Sequence, residues 1–352
     1  MLSRRALTPV AAAGLAAVML TAAGCKVSLQ AGAQGATAAQ AQAGPDTVTS
    51  ASGGSDRLFV EPGAGFSPVY SRINGARHSI DVTMYEFADT TAEHDLAAAA
   101  RRGVLVRVIL DNKEHDVNSG AYSYFRSHGV KVVWSSSSYT YTHQKTLVID
   151  GSAAIIMTAN LTSEYYSTSR DFLIVDSNRA DVSAIAAVFE ADFAHRGIRP
   201  GDGSDLVWSP TDSQGKLLGL INGAAKSLRI YSEEMGDTPV VDALIRAAKR
   251  GVDVQVCGEN EDGEYDSAFS RLAAAGVHIS YYSSATGFYI HGKVIEADYG
   301  TAHAKVFIGS ENFSSTSLNH NRELGLIISN SAILSAMARS FASDFANGKH
   351  WA

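Results

Sequence analysis

Cysteine is nearly absent: the 352 residues hold only Cys25 and Cys257. Two such distant thiols make no disulfide framework, and no paired-cysteine, H-x-H or H-E-x-x-H arrangement offers a metal site. No metal or other cofactor is therefore expected, and the fold must be held by its core alone. "VDVQVCGEN" puts Cys257 at the end of an apolar strand, as a buried, inert thiol. Positive charge is also short. Lys and Arg number 29 against 36 Asp and Glu, a net −7, which lacks the broad footprint of a nonspecific nucleic-acid binder. A local basic groove fed by Arg101, Arg102, Lys249 and Arg250 stays open, although these residues read equally as solvated helix ends.

Long apolar runs are missing except at the start. "MLSRR" followed by "ALTPVAAAGLAAVMLTAA" reads as an export signal over residues 1–24, and its removal with Arg4 and Arg5 takes the net charge from −7 to −9. The "AAGC" that follows resembles the lipobox of bacterial lipoproteins, with Cys25 as the lipidated new N-terminus. Ordinary cleavage with Cys25 incidental is the alternative. Residues 25–56 are rich in Ala, Gly, Gln and Ser and read as a flexible tether. The expected location is the cell envelope, anchored through Cys25, or otherwise secreted.

Beyond the tether the sequence repeats itself. "SRINGARHSIDV" (71–82) matches "GLINGAAKSLRI" (219–230), and "AAAARRGVLVRVIL" (97–110) matches "IRAAKRGVDVQVCG" (245–258), both displaced by 148 residues. The same shift lays "HQKTLVID" (143–150) on "HGKVIEAD" (291–298). A four-residue insertion near "DYGTAHA" then makes the displacement 152, pairing Asn160 with Asn312, "SRD" (169–171) with "NRE" (321–323) and "FEADF" (189–193) with "FASDF" (341–345). Each copy alternates apolar strands with Ala-rich helices. That pattern predicts an α/β fold of two tandem pseudo-symmetric α/β/α sandwich halves, 57–203 and 204–352, with mixed sheets sharing one active-site cleft.

Two H-x-K-x4-D motifs in register, each followed by Asn and then an acidic residue, resemble the phospholipase D superfamily from about residue 57 to the end. The resemblance implies metal-independent cleavage or exchange of a phosphodiester through a phosphohistidine intermediate. It implies His143 as nucleophile and His291 as general acid/base. Asn160 and Asn312 would bond phosphate oxygens, and Asp171 and Glu323 would each accept from the second nitrogen of a histidine ring. Asp150 and Asp298 complete the catalytic motifs, but five residues beyond the lysines they are expected to fix local structure. Elementary chemistry agrees. A phosphodiester transition state carries charge on nonbridging oxygens, which Lys145 and Lys293 would stabilise without a metal. One histidine must be unprotonated to attack and the other protonated to release the alcohol. Two departures from the family pattern stand out: "MTAN" in the first copy where the second has "GSEN", and Asp171 where the family has Glu.

"TMYEF" aligns with "YSEEM", so Tyr85, Glu86 and Glu234 end their strands facing the cleft, as substrate contacts or as packing. Tyr139, Tyr141 and Tyr289 precede the triplets and would line an entrance. His303 and Lys305 repeat the spacing, but Ser310 stands where Asp should, and the repeat register excludes them. The favoured activity is phospholipase D hydrolysis or headgroup exchange on glycerophospholipids. A nuclease of the same family and a non-catalytic phosphate-binding surface module are the alternatives. The expected partner is a phospholipid or other phosphodiester, nucleic acid is disfavoured, and both half-sites in one chain imply a working monomer.

Overall fold

Strands buried on both faces build the molecule. In Thr146–Ile149, Leu147 and Ile149 pack into one cluster while Val148 packs into another, and Ala153–Met157 splits in the same way. Period-two alternation with no polar face means that the sheet is covered on both sides. The computed structural model describes residues 50–53 and 56–352. The expected export signal, Cys25 and most of the expected tether lie outside the described residues.

One sheet runs, edge to edge, Ser50–Gly53, Asp56–Val60, Phe172–Asp176, Ala153–Met157, Thr146–Ile149, Ser79–Met84, Leu105–Leu110 and Lys131–Trp134. Another runs Leu206–Ser209, Glu323–Ile328, Lys305–Gly309, Val294–Ala297, Ser227–Ser232, Asp253–Glu259, His278–Tyr282 and Lys349–His350. Seven strands of each sheet follow one shared order, and each sheet mixes parallel with antiparallel neighbours. The two α/β halves that the repeat predicts are thus present. The sheet starts earlier than expected: Ser50–Gly53, inside the presumed tether, pairs antiparallel with Asp56–Val60.

Three apolar clusters hold these layers. The helices Ser67–Gly75, Thr90–Arg101 and His115–Ser127 cover the outer face of the first sheet. Ser213–Gly223, Thr238–Lys249 and Asp266–Ala274 cover that of the second. A central cluster draws on both sheets and on the helices Arg179–Phe193 and Ser331–Asn347. Cys257 is buried there, and that burial pushes its thiol well above the ordinary value.

Local chemistry repeats with the fold. Asp89 caps Thr90–Arg101 by accepting from the N–H groups of Thr91 and Ala92, and Asp237 caps Thr238–Lys249 through Val240 N–H. Arg102 donates to the carbonyls of Ile73 and Asn74, and Arg250 to those of Ile221, Asn222 and Ala224. Both guanidiniums therefore brace helix ends, one of the two readings the sequence left open.

Candidate active site

The two histidines lie where the halves cross. Ser169–Arg170 pairs in parallel with Tyr289–Ile290, and Thr142 bridges Arg322 in the same sense. Each half thus threads the segment before its histidine alongside the other half's Arg–acid dipeptide. His143 Nδ1 consequently meets Glu323 Oε2 at 2.8 Å, and His291 Nδ1 meets Asp171 Oδ1 at 2.8 Å. Both carboxylates are themselves fixed. Glu323 accepts from Ser317 Oγ (2.6 Å) and Asn321 Nδ2 (2.9 Å), and Asp171 accepts from Thr158 Oγ1 (2.5 Å). Ser317 carried no signal in the repeat, whereas Thr158 stands opposite Ser310 in it.

Neither H-x-K lies inside a strand. Thr146–Ile149 and Val294–Ala297 begin one residue after the lysines, and the stretch before them is held in extended form by contacts such as Gln144 N–H to Arg322 O (3.1 Å). Extended backbone still turns His and Lys to one side. The intervening residue differs: Gly292 is needed because a Cβ there would come within 2.7 Å of the Phe172 ring. Lys145 and Lys293 are wholly buried, with each Nζ donating to the carbonyl of its own histidine (2.6 and 2.5 Å).

Burial, reinforced by the Lys145 charge and only partly offset by Glu323, pushes His143 down to about 4. Burial likewise pushes Lys145 down to about 7, with Glu323 opposing and Lys293 reinforcing the shift. Charges from both halves therefore act on one another across a common site.

Asn160 and Asn312 occupy matching places, but their amides are already engaged. Asn160 Nδ2 donates to Glu86 (2.8 Å) and Asn312 Nδ2 to Glu234 (2.9 Å). Glu86 and Glu234, read from the sequence as substrate contacts or as packing, thus hold the asparagines. Burial pushes both carboxyls up; Glu234, beside the charge of Glu233, reaches about 7.

Asp150 and Asp298, grouped with the catalytic motifs but expected to fix local structure, do fix it. They lie at the far ends of their strands, at φ 53° and 56°. Asp150 accepts from the N–H groups of Arg77, His78 and Ser79, and Asp298 from those of Ala225, Lys226 and Ser227. Although burial opposes it, these donors hold both carboxyls below their ordinary value.

The half-sites differ at the paired position beside the histidine and lysine. Tyr85 stacks edge-on to His143 with ring centroids 4.5 Å apart, lies 4.8 Å from Lys145 Nζ, and donates its hydroxyl to Glu114 (2.9 Å). The residue 148 further on is Glu233. Its Oε2 lies 2.5 Å from Lys293 Nζ and its Oε1 3.6 Å from His291 Nε2, while Tyr289 donates to Oε1 at 2.9 Å. The same alignment that paired Glu86 with Glu234 held this signal, since it sets a charge against an aromatic ring. Of the other expected entrance residues, Tyr141 packs edge-on to Tyr85, whereas Tyr139 is taken up by Arg322.

Glu311 was also missed. It is fully buried with neither carboxylate oxygen hydrogen-bonded, and burial followed by the Glu323 charge pushes it well above the ordinary value. It fits because Gly309 and Gly325, paired across two strands, leave it room. The first half has Met157, Leu173 and Ala159 at the three equivalent positions. Among the described residues no cluster of three or more His, Cys, Asp or Glu is arranged to hold a metal ion.

Comparison with known proteins agrees with this architecture. The chain is 25% identical over 338 residues to a cardiolipin synthase of Clostridium perfringens strain SM101, covering 82% of this chain and 69% of that protein. It is 28% identical over 125 residues to a mitochondrial cardiolipin hydrolase of Xenopus laevis, covering 36% of this chain and 59% of that one. The chain thus spans about six to seven tenths of the length of these curated relatives. The fold is shared with a phosphatidylserine synthase of Haemophilus influenzae Rd KW20, with a TM-score of 0.65 at 11% identity over 86% of this chain and 88% of that one. The family model described as "Cardiolipin synthase, PLD-like domain" matches residues 69–195 and again 217–345, one match for each histidine–lysine pair. The chain belongs to that phospholipase D-like family.

Proposed function

We propose that this chain transfers the phosphatidyl group of a glycerophospholipid to water or to an alcohol, through a phosphohistidine at His143. The observation that carries the reading is the pair of cross-half histidine–carboxylate contacts beside two buried lysines. With Nδ1–H given to Glu323, His143 keeps Nε2 as its basic nitrogen, and a value near 4 leaves it unprotonated at neutral pH. Nε2 attacks phosphorus; the P–N bond forms as the P–O bond to the leaving alcohol breaks, and that oxygen takes a proton from His291 Nε2. Lys145 and Lys293 balance charge on the nonbridging oxygens. Water or an alcohol then gives its proton to His291 and attacks phosphorus, re-forming a P–O bond and freeing His143.

The lipid assignment draws support from the two curated relatives, both named for cardiolipin, whose headgroup linkages are phosphodiesters. The export signal and Cys25 anchor expected from the sequence would hold the site beside a membrane. The test incubates the full chain with mixed micelles of phosphatidylglycerol and with single-stranded DNA, each in excess chelator. Phosphatidic acid or a headgroup-exchange product is expected, lowered about 10²–10⁴-fold in His143→Ala and His291→Ala. DNA cutting without lipid turnover, or full lipid turnover in both variants, would overturn the reading.

A further inference from the structure

The two half-sites match in backbone, histidine, lysine and carboxylate partner, yet their phosphate-facing sides are unlike. Beside His143 and Lys145 stands the Tyr85 ring, which supplies no anion of its own. Beside His291 and Lys293 stands Glu233, 5% exposed, with one oxygen on the ammonium and the other toward Nε2. Those are the contacts a phosphate oxygen pair would seek. The ionised state of Glu233 follows from its surroundings. Burial alone would push the carboxyl up, but the charges of His291 and Lys293 outweigh it and hold it well below the carboxylate range.

We infer that Glu233 is the positioning residue that gives the two histidines different tasks, its carboxylate keeping phosphorus off His291 Nε2 and leaving His291 for proton transfer. This rests on the phosphohistidine reading above. A negative group between Lys293 and His291 repels an anionic phosphoryl group from Nε2 of that histidine. The same carboxylate, 3.6 Å from Nε2, faces the nitrogen whose proton the leaving alcohol receives. His291 is thereby flanked by Asp171 at Nδ1 and Glu233 at Nε2, with Lys293 on its own segment, Tyr289 bonded to Glu233, and Glu86 acting on it from the first half. His143 has one carboxylate in contact, Glu323, with Lys145 and the Tyr85 ring on its other side, and feels the Glu233 charge only from a distance. Attack therefore falls to His143 and proton delivery to His291.

The test uses bis(4-nitrophenyl) phosphate with the full chain, acid-free rapid quench, and mass spectrometry to locate the phosphoryl adduct. In the wild type the adduct is expected on the peptide carrying His143 alone. Glu233→Gln, which keeps the shape, should lower kcat about 10- to 100-fold with little change in KM, and Glu233→Asp should restore part of the rate. In the exchange variant Tyr85→Glu with Glu233→Tyr, adduct should appear on His291. A Glu233→Gln variant with wild-type kcat would overturn the inference, as would an exchange variant that turns over with adduct on His143 alone. Turnover without adduct on either histidine of the wild type would overturn the phosphohistidine reading and this inference with it.

Discussion

At the scale of single residues, His143 shows how environment sets a task. Its ring is held by Glu323 at one nitrogen, but burial and the neighbouring ammonium dominate and bring it to about 4. Lys145, wholly buried, falls to about 7 for the same reason. The nucleophile works only unprotonated and the lysine only protonated. Hence kcat/KM on a soluble phosphodiester should rise with pH through about 4, as His143 loses its proton, and fall through about 7, as Lys145 loses its own. Rates from pH 3.5 to 9 at constant ionic strength check this. An acid limb centred near the unperturbed histidine value of about 6.5 would contradict the buried setting of His143.

At the scale of elements, the H-x-K-x4-D spacing divides between two jobs at opposite ends of one strand. Five extended residues span roughly 17 Å, so an aspartate at the end of that run is out of reach of a phosphate held by the lysine. Asp150 and Gly151 both take positive φ (53° and 59°), making the turn from Thr146–Ile149 into Ala153–Met157, and Ser152 N–H closes it onto Ile149 O at 3.0 Å. The carboxylate meanwhile ties the turn to the start of Ser79–Met84. Asp298 does the same for Ser227–Ser232. Asp298→Ala removes these charge-assisted bonds and leaves a residue poorly suited to φ 56°, so unfolding free energy should drop by about 2–3 kcal/mol. The rate of the remaining folded enzyme should stay within about twofold, and Asp298→Asn, which tolerates that backbone, should be milder. Urea titration beside kinetics separates the two effects. A large loss of kcat in a fully stable Asp298→Asn would return the residue to the chemistry.

At the scale of the whole molecule, two reciprocal ion pairs join the halves. Arg170 of the first half meets Asp344 of the last helix (Nε–Oδ2 2.6 Å, Nη2–Oδ1 2.9 Å), and Arg322 of the second meets Asp192 (2.9 and 3.1 Å). Tyr231 and Tyr282 add hydrogen bonds to Asp344. Each arginine immediately precedes the carboxylate that holds the other half's histidine, so the clamps and the site depend on one another. Arg170→Ala would strand Asp344 in the central core and should cost about 3–5 kcal/mol. It should also lower kcat through the displaced Asp171. Because the central cluster draws on both sheets, unfolding should be one cooperative transition in wild type and variant alike. Two separated transitions in calorimetry would show halves that fold independently.

The repeat register determined much of this from sequence alone. A displacement of 148 residues fixes which strands, caps, histidines and lysines are equivalent, because alternating burial and capping are local and leave their period in the chain. It paired Tyr85 with Glu233 as well, although nothing local told which groups that carboxylate would face. Tertiary structure decided the crossing: His143 takes its carboxylate from 180 residues away and His291 from 120. No spacing rule encodes a contact made by threading one half's segment beside the other's. The tertiary fold also supplied the N–H groups that Asp150 and Asp298 bind and turned Glu86 and Glu234 toward the asparagines. In each case the residue type was legible, and its role followed from the group that packing set against it.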